Sequence, residues 1–422
     1  MTASSSALAL LDRATPPPFQ AVGAVPLLAP EVLPLAGGGR LHILRNGALP
    51  VVQVQVVLPA GQWQQPAPAV AALTARAITE GTRRRTAAQI AEYVAIYGAF
   101  LENSAGADRA SLTLYALRRH LPALLPLLGE LLTEATFPEA DTTAAIARYV
   151  QQARVEREKN ATRASERFSR NLFGAAHPYS SELNLDAVAA LTPDHLRGFY
   201  AEHYRLGSAE IFMCGDVRGE DVAALLALAE GARTIAAAPA PLLATPAGGP
   251  ARDEIRLPQS QQSSVRMGRL WPGPKIFGGY FGSRLMKNIR EDKGFTYGIY
   301  SSISHREYAS SLVVGADVNA DSTEATCTEI ACEMARLRAE PVPAHELATV
   351  RQYAAGKLVS ETSTIFDQLG KYQYLVLRGL PPDHYDHLLH AIRTTTPDEL
   401  LALANEYLVP EKMTEVVVGR RD

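Results

Sequence analysis

Hydrophobic and polar residues recur along this chain with periods that predict strands and helices from about residue 40 onward. Residues 41–44 and 51–58 are rich in apolar and β-branched side chains, and the Asn46-Gly47 turn between them predicts a hairpin-like start. The later periods predict helices at 66–79, 86–97, 119–135, 142–173 and 192–204 and strands at 99–104, 110–115 and 209–214. This mixture is typical of an α+β fold.

The same pattern returns in the second part of the chain. Thr192-Pro193-Asp194 is repeated by Thr396-Pro397-Asp398, 204 residues later. Each copy is followed by a tyrosine, Tyr204 or Tyr407, and by a short final strand. A repeat of this length indicates duplicated domains rather than a solenoid. We therefore predict two homologous halves of about 200 residues, each an antiparallel-type sheet covered by helices.

Composition also predicts where these halves begin and end. Residues 232–252 are rich in proline and alanine and have no hydrophobic period, which predicts a linker. It would separate a first domain, residues 32–231, from a second domain, residues 253–422. Residues 1–31 are rich in proline and alanine as well, and we predict an N-terminal arm there.

Charge and hydropathy exclude several classes of partner. Hydrophobic residues make up 47% of the chain and charged residues 20%, as in soluble globular proteins. The formal net charge of -3 gives no electrostatic basis for binding nucleic acid or an anionic membrane. No apolar run approaches the roughly 20 residues of a membrane span, and the N-terminus lacks a signal-peptide pattern. We expect a cytoplasmic protein with a protein or peptide partner, and the periplasm stays open as an alternative.

Common metal motifs are absent from the sequence. The chain has three cysteines, Cys214, Cys327 and Cys332, without zinc-knuckle spacing. His384, His387 and His390 are spaced by three residues, but the first and last would lie about 120° apart around a helix. We therefore predict no metal site from these residues.

Residues 277–302 form the stretch with the most specific local pattern. Helical spacing runs up to Gly294, which we predict to cap the helix in a left-handed conformation. A strand is predicted at 295–302, with Tyr297 and Ile299 on one face. Arg290 precedes Tyr297 by seven residues, so the turn at the glycine can bring both towards a common point. On the residues alone, the pattern favours a charged helix end followed by a packed tyrosine over a functional pair.

The duplicated halves, His177-Pro178-Tyr179, Thr192-Pro193-Asp194 and the stretch from Ser283-Arg284-Leu285 to Tyr297 together resemble the insulinase-like (pitrilysin-type) zinc peptidases. The resemblance extends from about residue 40 to the end. In that family one half carries an inverted zinc motif, H-x-x-E-H, with a later glutamate as third ligand, and the other half carries an arginine and a tyrosine seven apart. It implies that a zinc-activated water attacks the peptide, while the Arg/Tyr pair holds the substrate backbone and its oxyanion.

This sequence departs from the family in the metal-binding half. The residues that match the motif are Ala72, Ala75 and Arg76, ahead of Gly81-Thr82. Residues 141–154, where the third ligand is expected, contain no glutamate. The resemblance therefore implies no zinc in this chain. Arg290 and Tyr297, by contrast, match the Arg/Tyr pattern.

Two-chain bacterial members of the family divide these features between subunits. The resemblance thus implies a subunit that is inactive alone and forms a metalloendopeptidase complex, a heterodimer or higher assembly, with a homologous zinc-bearing partner. Arg290 and Tyr297 would complete the partner's site, and strand 295–302 would hold an unstructured peptide by β-addition. The alternative is a catalytically silent structural or peptide-binding scaffold. It is favoured by the short stretch before Gly278, where the family usually has a further helix.

Overall fold

A computed structural model describes residues 25, 27–180, 182–231, 246–271 and 277–421. Most of the predicted N-terminal arm, residues 1–24 and 26, lies outside the described residues, as do residues 232–245 of the predicted linker. The domain boundaries drawn at these segments stay predictions. Among the described helices, none is both long and apolar enough to cross a bilayer.

The first half of the chain builds a six-stranded sheet. Its strands are β1 (Glu31–Pro34), β2 (Arg40–Arg45), β3 (Val51–Leu58), β4 (Phe100–Ala105), β5 (Ala110–Leu117) and β6 (Glu210–Gly215), in the order β1-β2-β6-β3-β5-β4. Its helices are α1 (Val70–Ala77), α2 (Ala87–Ile96), α3 (Leu121–Thr133), α4 (Glu139–Glu156), α5 (Asn160–Phe173), α6 (Leu185–Ala189), α7 (Pro193–His203) and α8 (Gly219–Gly231).

The second half builds a five-stranded sheet. Its strands are β7 (Arg252–Arg256), β8 (Gln262–Leu270), β9 (Thr296–His305), β10 (Ser310–Asn319) and β11 (Thr414–Gly419), in the order β7-β11-β8-β10-β9. Its helices are α9 (Phe277–Leu285), which continues as a π-helical segment (Met286–Asp292), α10 (Thr323–Ala339), α11 (Ala344–Ser360), α12 (Ile365–Leu377), α13 (His384–Thr394) and α14 (Pro397–Tyr407).

The two sheets share one topology. The order β2-β6-β3-β5-β4 in the first half matches β7-β11-β8-β10-β9 in the second. The outer pairs β2–β6 and β7–β11 are parallel, and the remaining pairs of these five strands are antiparallel in both sheets. The predicted α+β fold with two similar halves is confirmed.

The predicted hairpin at the start of the first half is wrong. Strand β6 lies between β2 and β3, so that Leu41 and Val56 both face Ile211 from opposite sides. All three side chains are fully buried. Because β6 is apolar on both faces, a central position in the sheet buries more of its surface than an edge position would. The Asn46-Gly47 turn therefore connects two strands, β2 and β3, that are separated in the sheet by β6.

Each half contributes one helix to the sheet of the other half. Helix α5 packs on β8 and β11, where Phe168 joins a buried cluster with Val416 and Val418. Helix α12 packs on β6, and its residue Leu369 is buried with Phe212. The single helix predicted at 142–173 is in fact two helices, α4 and α5. The break at residues 157–159 lets α5 leave its own half.

The tips of two hairpins also meet where the halves join. The Tyr179 hydroxyl donates a hydrogen bond to Asp108, in the turn between β4 and β5. Two backbone amides in the turn between β9 and β10 complete the junction: Tyr308 N donates to the Tyr179 hydroxyl at 3.1 Å, and Glu307 N donates to Asp108 Oδ2 at 3.0 Å. Arg109 and Glu307 form an ion pair at 3.0 Å. The edge strands β4 and β9 therefore end at one fixed point.

The exchange of helices predicts that the two halves unfold together. Leu369→Ala removes a side chain that is 1% exposed and packs against the sheet of the other half. We expect a loss of about 2–5 kcal/mol in the free energy of unfolding, in a single urea transition followed by circular dichroism. Val155→Ala, at a position 54% exposed on α4, is the control and should change stability by less than about 0.5 kcal/mol. Two separate transitions, of which Leu369→Ala shifts only one, would contradict this coupling.

Candidate functional site

The three positions that match the zinc motif lie on α1, on the side that packs against α4. Ala72 and Ala75 offer only methyl groups. The Arg76 guanidinium lies over the ring of Tyr149, 5.0 Å from its centroid, and donates a hydrogen bond to Gln152 Oε1 at 3.3 Å. Burial raises the pKa of Tyr149, and the charge of Arg76 opposes this only in part. An arginine, a neutral phenol and an amide thus fill the place of the expected ligands.

The described residues contain no cluster of three or more histidine, cysteine, aspartate or glutamate side chains that could hold a metal ion. Burial raises the pKa of the Cys214 and Cys327 thiols to about 12, so both stay protonated at neutral pH. A protonated thiol is a poor metal ligand.

Arg290 lies on the π-helical segment that ends α9. Gly294 closes this segment with φ +66°, and its amide donates to the carbonyl of Arg290 at 3.2 Å. Phe295 N then donates to Ile289 O at 3.0 Å, which starts the following strand directly after the turn. The predicted left-handed cap at Gly294 is confirmed. The Arg290 side chain is exposed, and it has no hydrogen bond or ion pair with any described residue.

Polar contacts hold this segment against α10. Asn288 is buried and donates hydrogen bonds to Glu333 Oε1 at 2.7 Å and to Glu329 Oε2 at 3.0 Å. Lys293 forms an ion pair with Glu329, and the hydrogen bond from Lys293 is the main cause of the lowered pKa of that carboxyl. The backbone that carries Arg290 is therefore fixed on both sides of it.

A β-bulge determines where Tyr297 points. Ile299 pairs with Ala316 and Thr296 pairs with Val318, so Tyr297 and Gly298 both lie opposite the single residue Asp317. The Thr296 hydroxyl donates to Asp317 O at 2.6 Å and accepts from Gly298 N at 3.1 Å, which stabilises the bulge.

The predicted strand is confirmed and runs on to His305, but the prediction that Tyr297 and Ile299 share a face is wrong. Tyr297 is 93% exposed and Ile299 is 3% exposed. The extra residue interrupts the period of two, and bulges often redirect a side chain in this way. Tyr297 has no hydrogen bond with any described residue.

Arg290 and Tyr297 therefore stand on the two sides of one tight turn. The π-helical segment packs along β9, which is the edge strand of its sheet. Both side chains are exposed at this edge, and among the described strands none pairs with the outer side of β9. A cation and a phenol are thus both exposed next to an edge strand whose outer backbone groups are unpaired.

A small pocket that the sequence did not predict adjoins Tyr297. Its volume is about 200 Å³, and its lining includes Arg266, Tyr300 and Asp317. Arg266 is 7% exposed, although it carries a charge and lies in the middle of strand β8. The signal in the sequence was a charged residue between two apolar ones, Val265 and Met267.

Residues 190–353 match a family profile described as "Peptidase M16 inactive domain". The predicted resemblance to the insulinase-like peptidases is confirmed. An uncharacterized zinc protease of Streptomyces coelicolor is 22% identical over 365 residues, covering 81% of this chain and 79% of the relative. The uncharacterized zinc protease YmxG of Bacillus subtilis is 26% identical over 120 residues, 28% of this chain and 29% of the relative.

Solved structures share the fold of this chain. A peptidase M16 inactive domain from Pseudomonas fluorescens superposes with a TM-score of 0.82 at 25% identity, covering 94% of this chain and 99% of that one. Two further structures show the same fold. A protease from Helicobacter pylori has a TM-score of 0.83 at 17% identity, covering 93% of this chain and 100% of that one. The Escherichia coli periplasmic protease PqqL has a TM-score of 0.77 at 14% identity, and the match covers 96% of this chain but 48% of PqqL.

Gly294 predicts a local stability effect. A Cβ at Gly294 or at Gly298 would meet no atom within 4 Å, but only Gly294 has a positive φ. Gly294→Ala should therefore cost about 1–2 kcal/mol in the free energy of unfolding through backbone strain alone, measured by urea denaturation. Gly298→Ala is the matched control and should cost clearly less. Equal losses for both variants would mean that the turn does not depend on the left-handed conformation.

The residues at the metal-motif positions suggest which substitutions would create a zinc site. The triple variant Ala72→His, Ala75→Glu, Arg76→His supplies only two ligands, because the motif glutamate acts as a base. Adding Gln152→Glu places a carboxylate where an oxygen now lies 3.3 Å from Arg76. We expect stoichiometric zinc, measured by elemental analysis after dialysis, only in the quadruple variant. A triple variant that keeps a full equivalent of zinc would show that another side chain serves as third ligand.

Proposed function

We propose that this chain is the non-metal-binding subunit of a heteromeric zinc peptidase, in which Arg290 and Tyr297 complete the site of a homologous zinc-bearing partner. One observation carries the proposal. Arg290 and Tyr297 are exposed beside an unpaired sheet edge with no hydrogen-bond partner among the described residues, whereas the metal-motif positions hold two alanines and an arginine.

The chemistry of the pair fits stabilisation of an oxyanion. Attack on a peptide carbonyl develops negative charge on its oxygen, and a fixed cation and hydroxyl donor lower the energy of that state. The Arg290 guanidinium supplies the charge and the Tyr297 phenol donates a hydrogen bond. The partner's zinc would supply the activated water, while this chain positions the substrate carbonyl. The fixed backbone at Gly294 and the bulge at Thr296 favour such preorganisation.

Strand β9 offers the complementary backbone for a peptide substrate. Its outer side presents unpaired N–H and C=O groups, which an extended chain can join as an additional strand. Recognition through backbone groups depends little on side-chain sequence and requires an unstructured substrate. A peptide that pairs with the outer side of β9 would pass next to the bulge at Tyr297, so that it would present its backbone to the pair.

The relation to PqqL supports a second, homologous chain as partner. This chain spans about half the length of PqqL, with 48% of that protein covered by the match. A separate subunit of the same fold would take the place of the remaining half. A partner of this kind would bring an intact H-x-x-E-H motif to the exposed edge of β9.

One observation favours the alternative, a catalytically silent structural or peptide-binding scaffold. In the first half both α1 and α2 lie between β3 and β4. Strand β8 ends at Leu270 and α9 begins at Phe277, and the described residues of the corresponding interval in the second half form one helix with its π-helical extension. The wall beside Arg290 is therefore built differently, and peptide binding without cleavage would still be possible.

The proposal predicts activity only in the assembled pair. The chain and a homologue with an intact zinc motif are purified alone and together, and cleavage of a mixed pool of unstructured peptides is followed. Within the pair, Arg290→Ala should lower kcat/KM by about 10²–10³, the effect of losing one oxyanion donor. Lys287→Ala removes another exposed cation from the same π-helical segment and should leave the rate unchanged.

Two outcomes would contradict this function in different ways. Zinc-dependent cleavage by this chain alone would refute the division of the site between subunits. An active pair in which Arg290→Ala and Lys287→Ala behave alike would remove Arg290 from the chemistry. That result would favour the scaffold instead.

A further inference from the structure

A second pocket lies between α5 and the inner face of the second sheet. It encloses about 220 Å³, and its lining includes Ser165 and Phe168 of α5, Tyr300 and Ser304 of β9, and two arginines, Arg266 and Arg306. Arg266 and Tyr300 also line the pocket beside Tyr297. The two pockets are therefore neighbours along β9.

The first arginine, Arg266, is buried with little compensation for its charge. Its Nη1 donates to Val265 O at 2.9 Å and its Nε donates to Ser165 Oγ at 3.1 Å. The carboxylate paired with it is that of Asp317, at 3.7 Å, and 52% of that side chain is exposed to solvent. A buried guanidinium is costly unless a carboxylate or another anion pairs closely with it.

The second arginine, Arg306, is held mainly by aromatic rings. Its guanidinium lies 4.7 Å from the ring centroid of Tyr179 and 5.0 Å from that of Phe173, and Nη1 donates to Tyr179 O at 3.1 Å. It has no ion pair with any described residue. The charge of Asp108 acts on Arg306 from nearby, but this carboxylate accepts hydrogen bonds from the Tyr179 hydroxyl and Glu307 N.

The polar groups of this pocket are therefore suited to an anion. Two guanidinium groups and several serine hydroxyls line it, and none of the described lining residues is an aspartate or glutamate. Arginine forks and hydroxyl donors are the groups that bind carboxylates in proteins. The volume accommodates a carboxylate with a short apolar stem, which Phe168 and Tyr300 would contact.

The first half carries a different residue at the position that corresponds to Arg266, although the two sheets share one topology. Both hairpins have four-residue turns, so the row Arg266–Gly315–Tyr300 corresponds to the row Gln53–Tyr115–Phe100 in the first half. A neutral amide thus replaces the guanidinium there.

Gly315 provides the space that this pocket needs. A Cβ on it would lie 2.5 Å from the Tyr300 ring, so the glycine lets that ring lie across the sheet.

We propose that this pocket binds a peptide carboxylate, supplied by an acidic side chain or by the C-terminus of a peptide that lies along β9. The inference rests on the proposed function only for the peptide as the source of the carboxylate. The arginines, the hydroxyls and the loose pairing of Arg266 with the half-exposed Asp317 do not depend on Arg290 or on a partner subunit. The pocket would add side-chain selectivity to backbone recognition by the strand edge.

Fluorescence anisotropy on the full chain alone tests this assignment with three labelled peptides. One contains glutamates and an amidated C-terminus, the second has glutamines in their place and a free C-terminus, and the third has glutamines and an amidated C-terminus. We expect the first or the second to bind at least about tenfold more tightly than the third. The tighter peptide identifies the source of the carboxylate. Equal affinities for all three would overturn the proposal.

Variants of an exposed lining residue connect the binding to this pocket. Ser304→Glu places a carboxylate beside the two arginines, and Ser304→Gln is its uncharged match of the same size. The glutamate variant should lose the preference for a peptide carboxylate, and the glutamine variant should keep it. Equal behaviour of the two would place the binding elsewhere.

A second pair of variants tests the guanidinium itself. Arg266→Gln should also lose the preference, whereas Arg256→Gln, on the opposite edge strand β7, should not. Loss of the preference in both variants would overturn the assignment to this pocket. Thermal unfolding of each variant shows whether it is folded. If Arg266→Gln is unfolded, the comparison of the two Ser304 variants still tests the proposal.

The binding assay uses no partner subunit and no cleavage. A negative result would therefore contradict this pocket assignment without contradicting the proposed function.

Discussion

The exchange of helices between the two halves is the constraint on which the rest of this structure depends. Each sheet buries part of one face under a helix from the other half, α5 on the second sheet and α12 on the first. The contact is close: a Cβ at Gly268 would lie 3.0 Å from the Phe168 ring. Because side chains of α5 and α12 lie in buried clusters with the sheet of the other half, the halves are joined through their cores. The positions of β9 and Arg290 relative to the first half follow from this packing.

The duplication was predictable from sequence because the repeated residues are helix-capping motifs, which are local in the chain. The motif at Thr192 and its repeat at Thr396 both begin a helix with a capping box, and Thr396 Oγ1 accepts from Glu399 N at 3.2 Å. Such caps act within one turn of helix, so residue types alone identify them. The exchange of α5 and α12 was not predictable, since periodicity shows that a face is apolar but not which sheet covers it. The insertion of β6 between β2 and β3 escaped prediction for the same reason.

Some features of the candidate site were likewise predictable from sequence, and others were not. The spacing of Arg290 and Tyr297 and the cap at Gly294 lie within one short segment, and their sequence pattern was sufficient to find them. The bulge depends on how β9 pairs with Asp317, which comes some twenty positions later in the chain. Arg266 comes from a strand two places away in the sheet. Strand pairing joins residues that are distant in the chain, and the spacing of residues in a single sequence does not predict which strands pair.

The two halves differ in how their functional positions relate to stability. Arg76 packs on Tyr149 and bonds to Gln152, so the interface of α1 and α4 is complete without a metal. Arg290 and Tyr297, by contrast, are exposed and make no described side-chain hydrogen bond within their own chain. Side chains of this kind contribute little to folding. Their charge and hydroxyl group thus remain accessible, on the two sides of one tight turn.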